Sequence, residues 1–277
     1  MPMAYVKTRD GTDLFVKSWG EGRAVILTHG WPLAADMWDA QAMALAKAGY
    51  RAITYDRRGF GRSGQPWSGY DYDTFADDLA DVMQETGATT DATIVGFSMG
   101  GGEIARYMSR HEGKGVVAAG LVSSVVPYVL RTDDNPDGVP EETLQQIADG
   151  VEKDRAHFFR NTFFPQVFGV GFITSPVSDE VLDMTTGTAL LAGLWPTLAA
   201  AQAFGHTDFR PDLPAFRVPT LIIHGTADKT VPIDASARPA AKAITQSQLI
   251  EYDGEPHGLN ATASDRLTRD LLTFVGA

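Results

Sequence analysis

Cysteine is missing from this chain of 277 residues. Its absence excludes disulfides, thiol catalysis and cysteine-based metal sites, and it fits a reducing compartment. Positive charge is scarce: 23 lysines and arginines stand against 35 aspartates and glutamates, a formal net charge of −12. That balance argues against gripping a phosphate backbone, so no nucleic-acid partner is expected, and simple solubility accounts for the acidity. Long apolar runs are lacking as well. The longest, over residues 189–204, is broken by Pro196 and too short to span a bilayer. Residues 1–10 hold no apolar stretch of the kind a secretory signal needs. We therefore expect a cytoplasmic protein with no membrane attachment. There is no H-E-x-x-H and no pair of histidines grouped with a carboxylate, so no metal is expected.

What is present is an alternation of strand and helix signals over the first 125 residues. Strands are expected at Leu14–Trp19, Ala24–Thr28, Arg51–Tyr55, Ala92–Gly96 and Val116–Ser123. Helices are expected around Trp38–Ala48, Thr74–Thr86 and Gly101–Arg110. This is the pattern of an α/β protein whose mostly parallel sheet is covered on both faces. It resumes with strands at Thr220–His224 and Gln248–Tyr252 and a last helix near Ala263–Val275. Between them, residues 127–214 show helical spacing only, at Leu144, Ile147 and Val151, then near Asp179–Leu194 and Pro196–Phe204. Eight of the 14 phenylalanines lie between Phe158 and Phe209. A stretch so aromatic and so short suits a helical cap better than an independent domain. The expected division is a catalytic core, 1–126 and 215–277, with a cap inserted at 127–214.

Gly96-Phe97-Ser98-Met99-Gly100 is a G-x-S-x-G element between a β-branched run and a helical stretch. On a tight strand-to-helix turn a serine adopts a strained backbone and stands clear of its neighbours. Glycines two residues away on either side let the flanking elements approach closely. The helix N-terminus then faces a reacting carbonyl, with the Met99 N–H as an oxyanion donor.

A serine hydroxyl needs a positioned base, and in such a sheet the order along the chain is serine, acid, histidine. Of six histidines, only His257 lies in a turn after the last strand and before the last helix. An exposed loop histidine carries little weight alone, so the assignment stands jointly with Ser98. The acid is expected just past the preceding strand, which makes Asp228 the candidate. Asp228 could instead cap a helix beginning after Pro232, and Asp253 and Glu255 compete from beside the histidine. The second oxyanion donor is expected from His29-Gly30-Trp31-Pro32. Pro32 has no N–H, which leaves Trp31, and His29 reads as an organiser of that loop. Phe97, Val231, Phe158, Phe159 and Phe163 are candidates to line an apolar acyl pocket, although each could simply pack cap against core.

Two stretches imitate other motifs. Asp133-Asp134-Asn135-Pro136-Asp137-Gly138 is like a calcium loop, but Leu144 stands where a bidentate glutamate is required. Gly59-Phe60-Gly61-Arg62-Ser63-Gly64 fits G-x-G-x-x-G without opening a helix. It reads as a connector fixed by Asp56 and Arg57.

Together these pieces resemble the α/β-hydrolase fold, and more narrowly the cofactor-free bacterial haloperoxidases, a group that includes aryl esterases and perhydrolases. The resemblance is carried by His29-Gly30-Trp31-Pro32-Leu33, Tyr55-Asp56-Arg57-Arg58-Gly59-Phe60-Gly61-Arg62-Ser63, Gly96 to Glu103 and Pro256-His257-Gly258. It implies a Ser98–His257–Asp228 triad with Trp31 and Met99 as oxyanion amides. It implies a small-molecule ester or acyl substrate, with hydrogen peroxide as an alternative acyl acceptor and neither haem nor metal as cofactor. Pro32 after the oxyanion tryptophan is the family feature that goes with perhydrolysis. Homo-oligomers are common in the group. Thr230, two residues after Asp228, departs from the aliphatic pocket residue usual there and leaves the pocket's polarity open. The same triad would also serve lactone or lactam opening, and a non-enzymatic small-molecule receptor could retain the fold. A serine elbow disfavours aspartate-nucleophile dehalogenases and epoxide hydrolases.

Overall fold

The structure, a computed structural model, describes residues 5–171 and 175–276. Short runs rich in Val, Ile and Ala pair into one eight-stranded sheet: β1 Tyr5–Lys7, β2 Asp13–Trp19, β3 Ala24–Thr28, β4 Arg51–Tyr55, β5 Ala92–Phe97, β6 Val116–Val122, β7 Thr220–Gly225 and β8 Ser247–Tyr252. The spatial order is β1-β2-β4-β3-β5-β6-β7-β8. Contacts of β1 with β2 and of β2 with β4 are antiparallel, and the rest are parallel. Strands β3, β5 and β7 are buried at every residue, as parallel strands covered on both faces must be. Alternation with period two divides their side chains between two cores. Val25, Leu27, Val95 and Phe97 join Trp38 and Leu271 on one face, while Ile26 and Ile94 join Phe75 and Ile104 on the other.

Helices α1 (Asp39–Lys47), α2 (Tyr72–Thr86) and α3 (Met99–Arg110) link the early strands. Helix α2 illustrates why its ends fall where they do. The Asp71 side chain accepts from the Thr74 N–H at 2.9 Å, and Gly87 closes the helix at φ 71°, the left-handed conformation glycine adopts freely. Four helices follow between β6 and β7: α4 (Glu141–Phe158), α5 (Phe164–Val167), α6 (Asp179–Ala189) and α7 (Leu194–His206). No strand occurs there among the described residues. A π-helical turn at Phe159–Phe163 joins α4 to α5. Helices α8 (Ala237–Ala243), α9 (Leu259–Thr262) and α10 (Ser264–Gly276) complete the chain.

Several boundaries differ from the sequence reading. Strand β5 runs on to Phe97 and α3 begins at Met99, which leaves Ser98 alone as the joint. Strand β6 stops at Val122. The run expected over Asp179–Leu194 ends at Ala189, and α7 restarts at Leu194 with Pro196 in its first turn. Proline is tolerated there because first-turn N–H groups have no partner inside the helix. Strand β1, only three residues long, was too short to show a pattern.

From β3 the chain moves outward to β4, then returns to form β5 on the other side of β3. The strand order reverses at this point, and the carboxyl ends of β3 and β5 diverge into a crevice where ligands of open α/β sheets bind. Gly30-Trp31 and Ser98 leave the sheet at that crevice.

Candidate active site

Ser98 occupies φ 52°, ψ −118°, a region rarely populated by residues with a side chain. Its neighbours hold it there. The Ser98 N–H donates to the Val122 carbonyl at 2.9 Å, and its own carbonyl accepts from the Gly101 N–H at 2.9 Å. Glycine is required at Gly100, where a Cβ would stand 2.5 Å from Thr28 Oγ1 and 2.7 Å from the Thr28 carbonyl. At Gly96 a Cβ would strike the Gly100 carbonyl. The tight elbow thus follows from missing side chains.

His257 sits in the turn between β8 and α9, its carbonyl held by Ser123 Oγ at 2.9 Å. Its Nε2 lies 3.0 Å from Ser98 Oγ, and its Nδ1 lies 2.6 Å from Asp228 Oδ2. A carboxylate only accepts, so Nδ1 carries the hydrogen and Nε2 is free to take the serine proton. All three residues are buried. Asp228 Oδ1 accepts from the Thr230 and Val231 N–H groups at 2.9 and 2.8 Å. Burial alone would raise this carboxyl. The electrostatic pull of the adjoining His257 and hydrogen bonds from His224 and His257 outweigh burial and hold it well below the usual carboxylate range. The rival acids are engaged elsewhere: Glu255 accepts from Thr262 Oγ1 at 2.8 Å, and Asp253 accepts from Thr226 Oγ1 at 3.3 Å. Nor does Asp228 cap α8, whose N-cap position is Ser236.

The sequence reading passed over His224. It is fully buried at the end of β7, with Nε2 3.1 Å from Asp228 Oδ2 and 2.8 Å from the Val231 carbonyl. Both neighbours accept, so Nε2 donates, and Asp228 receives four donors in all. The available signal was a lone histidine inside an otherwise apolar strand, four residues before the acid.

Gly30 and Trp31 lie against the serine. A Cβ on Gly30 would come within 3.2 Å of Ser98 Cβ. Among the described residues, neither the Trp31 N–H nor the Met99 N–H finds an acceptor. The loop is braced from below. His29 is fully buried, its Nε2 accepts from the Arg57 N–H at 2.9 Å, and Arg57 Nη2 donates to the His29 carbonyl at 2.9 Å. Burial, reinforced by the charge on Arg57, pushes the His29 imidazole well below its ordinary value, so it acts as a neutral acceptor. Arg57 is itself paired with buried Glu103, which also takes the Tyr55 hydroxyl. Asp56 accepts from the Ala35 N–H at 2.8 Å and from Arg62 Nε at 2.7 Å, which ties the Gly59–Gly64 connector to the same loop.

A cavity of about 150 Å³ opens over Ser98, His257 and Trp31. Val231, Phe158 and Phe163 line it; Phe97 and Phe159 do not. Phe97 shares the sheet face of Val95, so its ring turns away and packs 6.2 Å from Trp38 and 5.2 Å from His257. Phe159 backs the Trp31 indole at 5.6 Å. That indole also donates to the Thr197 carbonyl at 2.8 Å, which anchors it to α7. Pro32 is buried, joined to Trp31 by a cis peptide bond, and takes no part in the lining. The calcium-like loop is otherwise engaged, with Asp134 paired to Arg210 at 2.8 Å. No described helix is long and apolar enough to cross a membrane.

The sequence pattern of the alpha/beta hydrolase fold matches residues 23–263. A non-heme chloroperoxidase of Kitasatospora aureofaciens is 41% identical over 99% of both chains. A bifunctional esterase/perhydrolase of Acinetobacter calcoaceticus is 38% identical, again over 99% of each. The crystal structure of a bromoperoxidase from Bacillus anthracis superposes with a TM-score of 0.94 at 40% identity, covering 99% of both chains. The chain belongs to the α/β-hydrolase fold family, within its non-heme haloperoxidase and esterase group.

Proposed function

We propose that this protein is a serine-dependent carboxylic ester hydrolase that also performs perhydrolysis, with Ser98, His257 and Asp228 as its triad. The observation that carries the reading is the hydrogen-bonded relay from Ser98 Oγ through His257 to Asp228 Oδ2, at 3.0 and 2.6 Å, beneath a cavity. His257 Nε2 takes the Ser98 proton as Oγ bonds to the ester carbonyl carbon. The tetrahedral oxyanion is held by the Trp31 and Met99 N–H groups, both lacking an acceptor among the described residues. The ester C–O bond breaks, and the alcohol leaves with the proton from His257. Water, or hydrogen peroxide, then gives a proton to His257 and attacks the acyl carbon. The acyl–Oγ bond breaks, Ser98 recovers the proton, and a carboxylic acid or a peracid is released. These steps use side chains and amides alone. Residues 127–214 act here as a helical cap on the core of 1–126 and 215–277, supplying Phe158 and Phe163 to the pocket wall.

Stoichiometric labelling by a fluorophosphonate and rapid turnover of p-nitrophenyl acetate test this reading; tight ligand binding with negligible turnover would contradict it. A parallel lactone and lactam panel separates the sister activities.

Asp228→Asn preserves the shape of the acid but favours the wrong His257 tautomer. It is expected to lower kcat about 10⁴-fold, as in other triads; steady-state kinetics that show less than a tenfold loss would remove Asp228 from the relay. Pro32→Leu is expected to shift the peracid-to-acid product ratio several-fold toward hydrolysis. An unchanged ratio in acetate and peroxide would exclude Pro32 from acceptor choice.

A further inference from the structure

The cavity departs from the apolar acyl pocket expected of the sequence. None of its lining residues among those described is acidic, although the chain carries 35 aspartates and glutamates. One cation lines it: Lys229, beside Asp228, exposed and without a salt-bridge partner among the described residues. Thr230 follows, and its Oγ1 is buried with no hydrogen-bond partner. Gln146 on α4 and Gln166 on α5 add amides. Thr143 and Thr162 add hydroxyls, and apart from the catalytic candidates the remaining wall, including Val231, Phe158 and Phe204, is apolar. An unpaired ammonium and an orphaned hydroxyl, with no competing carboxylate among the described lining residues, form a receptor for negative charge in a largely apolar space. The overall charge of −12 opposes an anion at long range. At physiological ionic strength that field is screened over about 8 Å, so the local lining decides.

We propose that the site prefers acyl groups ending in a second carboxylate, the hemiesters of short dicarboxylic acids, with Lys229 as counter-charge and Thr230 as hydrogen-bond donor. This rests on the ester-hydrolase reading and specifies its substrate class. Hydrolysis proceeds as described above at the methyl ester end, while the free carboxylate stays unreacted against Lys229.

The test is the kcat/KM for monomethyl glutarate divided by that for methyl 5-methylhexanoate, whose branched end copies the carboxylate's shape without its charge. Active sites are counted by fluorophosphonate titration, so a poorly folded variant does not distort the comparison. Lys229→Met is expected to reduce this ratio about tenfold and Lys229→Glu further, whereas Lys229→Arg retains it. Thr230→Val is expected to reduce it about threefold, and added salt lowers it in the wild type. A ratio that changes less than about twofold in both Lys229→Met and Lys229→Glu, while both esters are still turned over, overturns the proposal. Wild-type protein that cleaves neither ester nor p-nitrophenyl acetate overturns the hydrolase reading instead.

Discussion

Replacing Ser98 with alanine is expected to lower ester turnover about 10⁶-fold while the fold survives, because triad members act as a unit. The strained φ of 52° is borne by any residue with a Cβ, so alanine adds no backbone cost at that position. Only the Oγ–His257 hydrogen bond is lost. The Trp31 and Met99 amides proposed to hold the oxyanion remain, as does the cavity, and a residue of catalysis over the uncatalysed rate is expected from them. Peracid formation should fall in parallel, since in the proposed mechanism water and peroxide share one acyl-enzyme. A variant that kept a tenth of wild-type activity, or lost hydrolysis while retaining perhydrolysis, would contradict this assignment.

The largest effect on stability is expected at Arg57. Its guanidinium is buried against Glu103 and also holds the His29 carbonyl. Burial pushes Arg57 down to about 10, still protonated at neutral pH, and pushes the Glu103 carboxyl well above the ordinary range. Arg57→Met would strand that carboxyl in an apolar interior. Breaking one side of a buried pair costs about 3–5 kcal/mol, which for a chain of this length lowers the melting temperature by roughly 10 °C. The double substitution Arg57→Met with Glu103→Leu removes the stranded group, so most of the stability should return. Activity should not return, because the brace under Gly30 and Trp31 is still gone. Thermal melts of the three proteins check this; a single variant as stable as wild type would show that Glu103 needs no partner.

How legible was all this in the chain? Local chemistry pointed to the three residues of the proposed triad. Serine between spaced glycines, an aspartate just past a strand and a histidine in the last turn each follow from short-range rules, and the structure brings Ser98, Asp228 and His257 within hydrogen-bonding distance. Strands β3, β5 and β7 were readable because they are buried at every residue. What was hidden depends on which way a side chain faces. Phe97 adjoins the serine in sequence, yet the pleat turns it to the far core. Phe159 differs from Phe158 by one position, and the π-helical turn that starts at Phe159 points it behind Trp31. His224 needed the contact across the β7 turn to reveal its role. Lys229 and Thr230 acquired meaning only once the cavity set them beside Ser98.

Quenching a reaction with p-nitrophenyl acetate in acid during the first turnovers, then mapping the peptides by mass spectrometry, tests the acyl-enzyme directly. One acetyl group on Ser98 is expected, disappearing faster when hydrogen peroxide is added before the quench. Rapid ester turnover with no acetyl on Ser98 at any time would contradict the account.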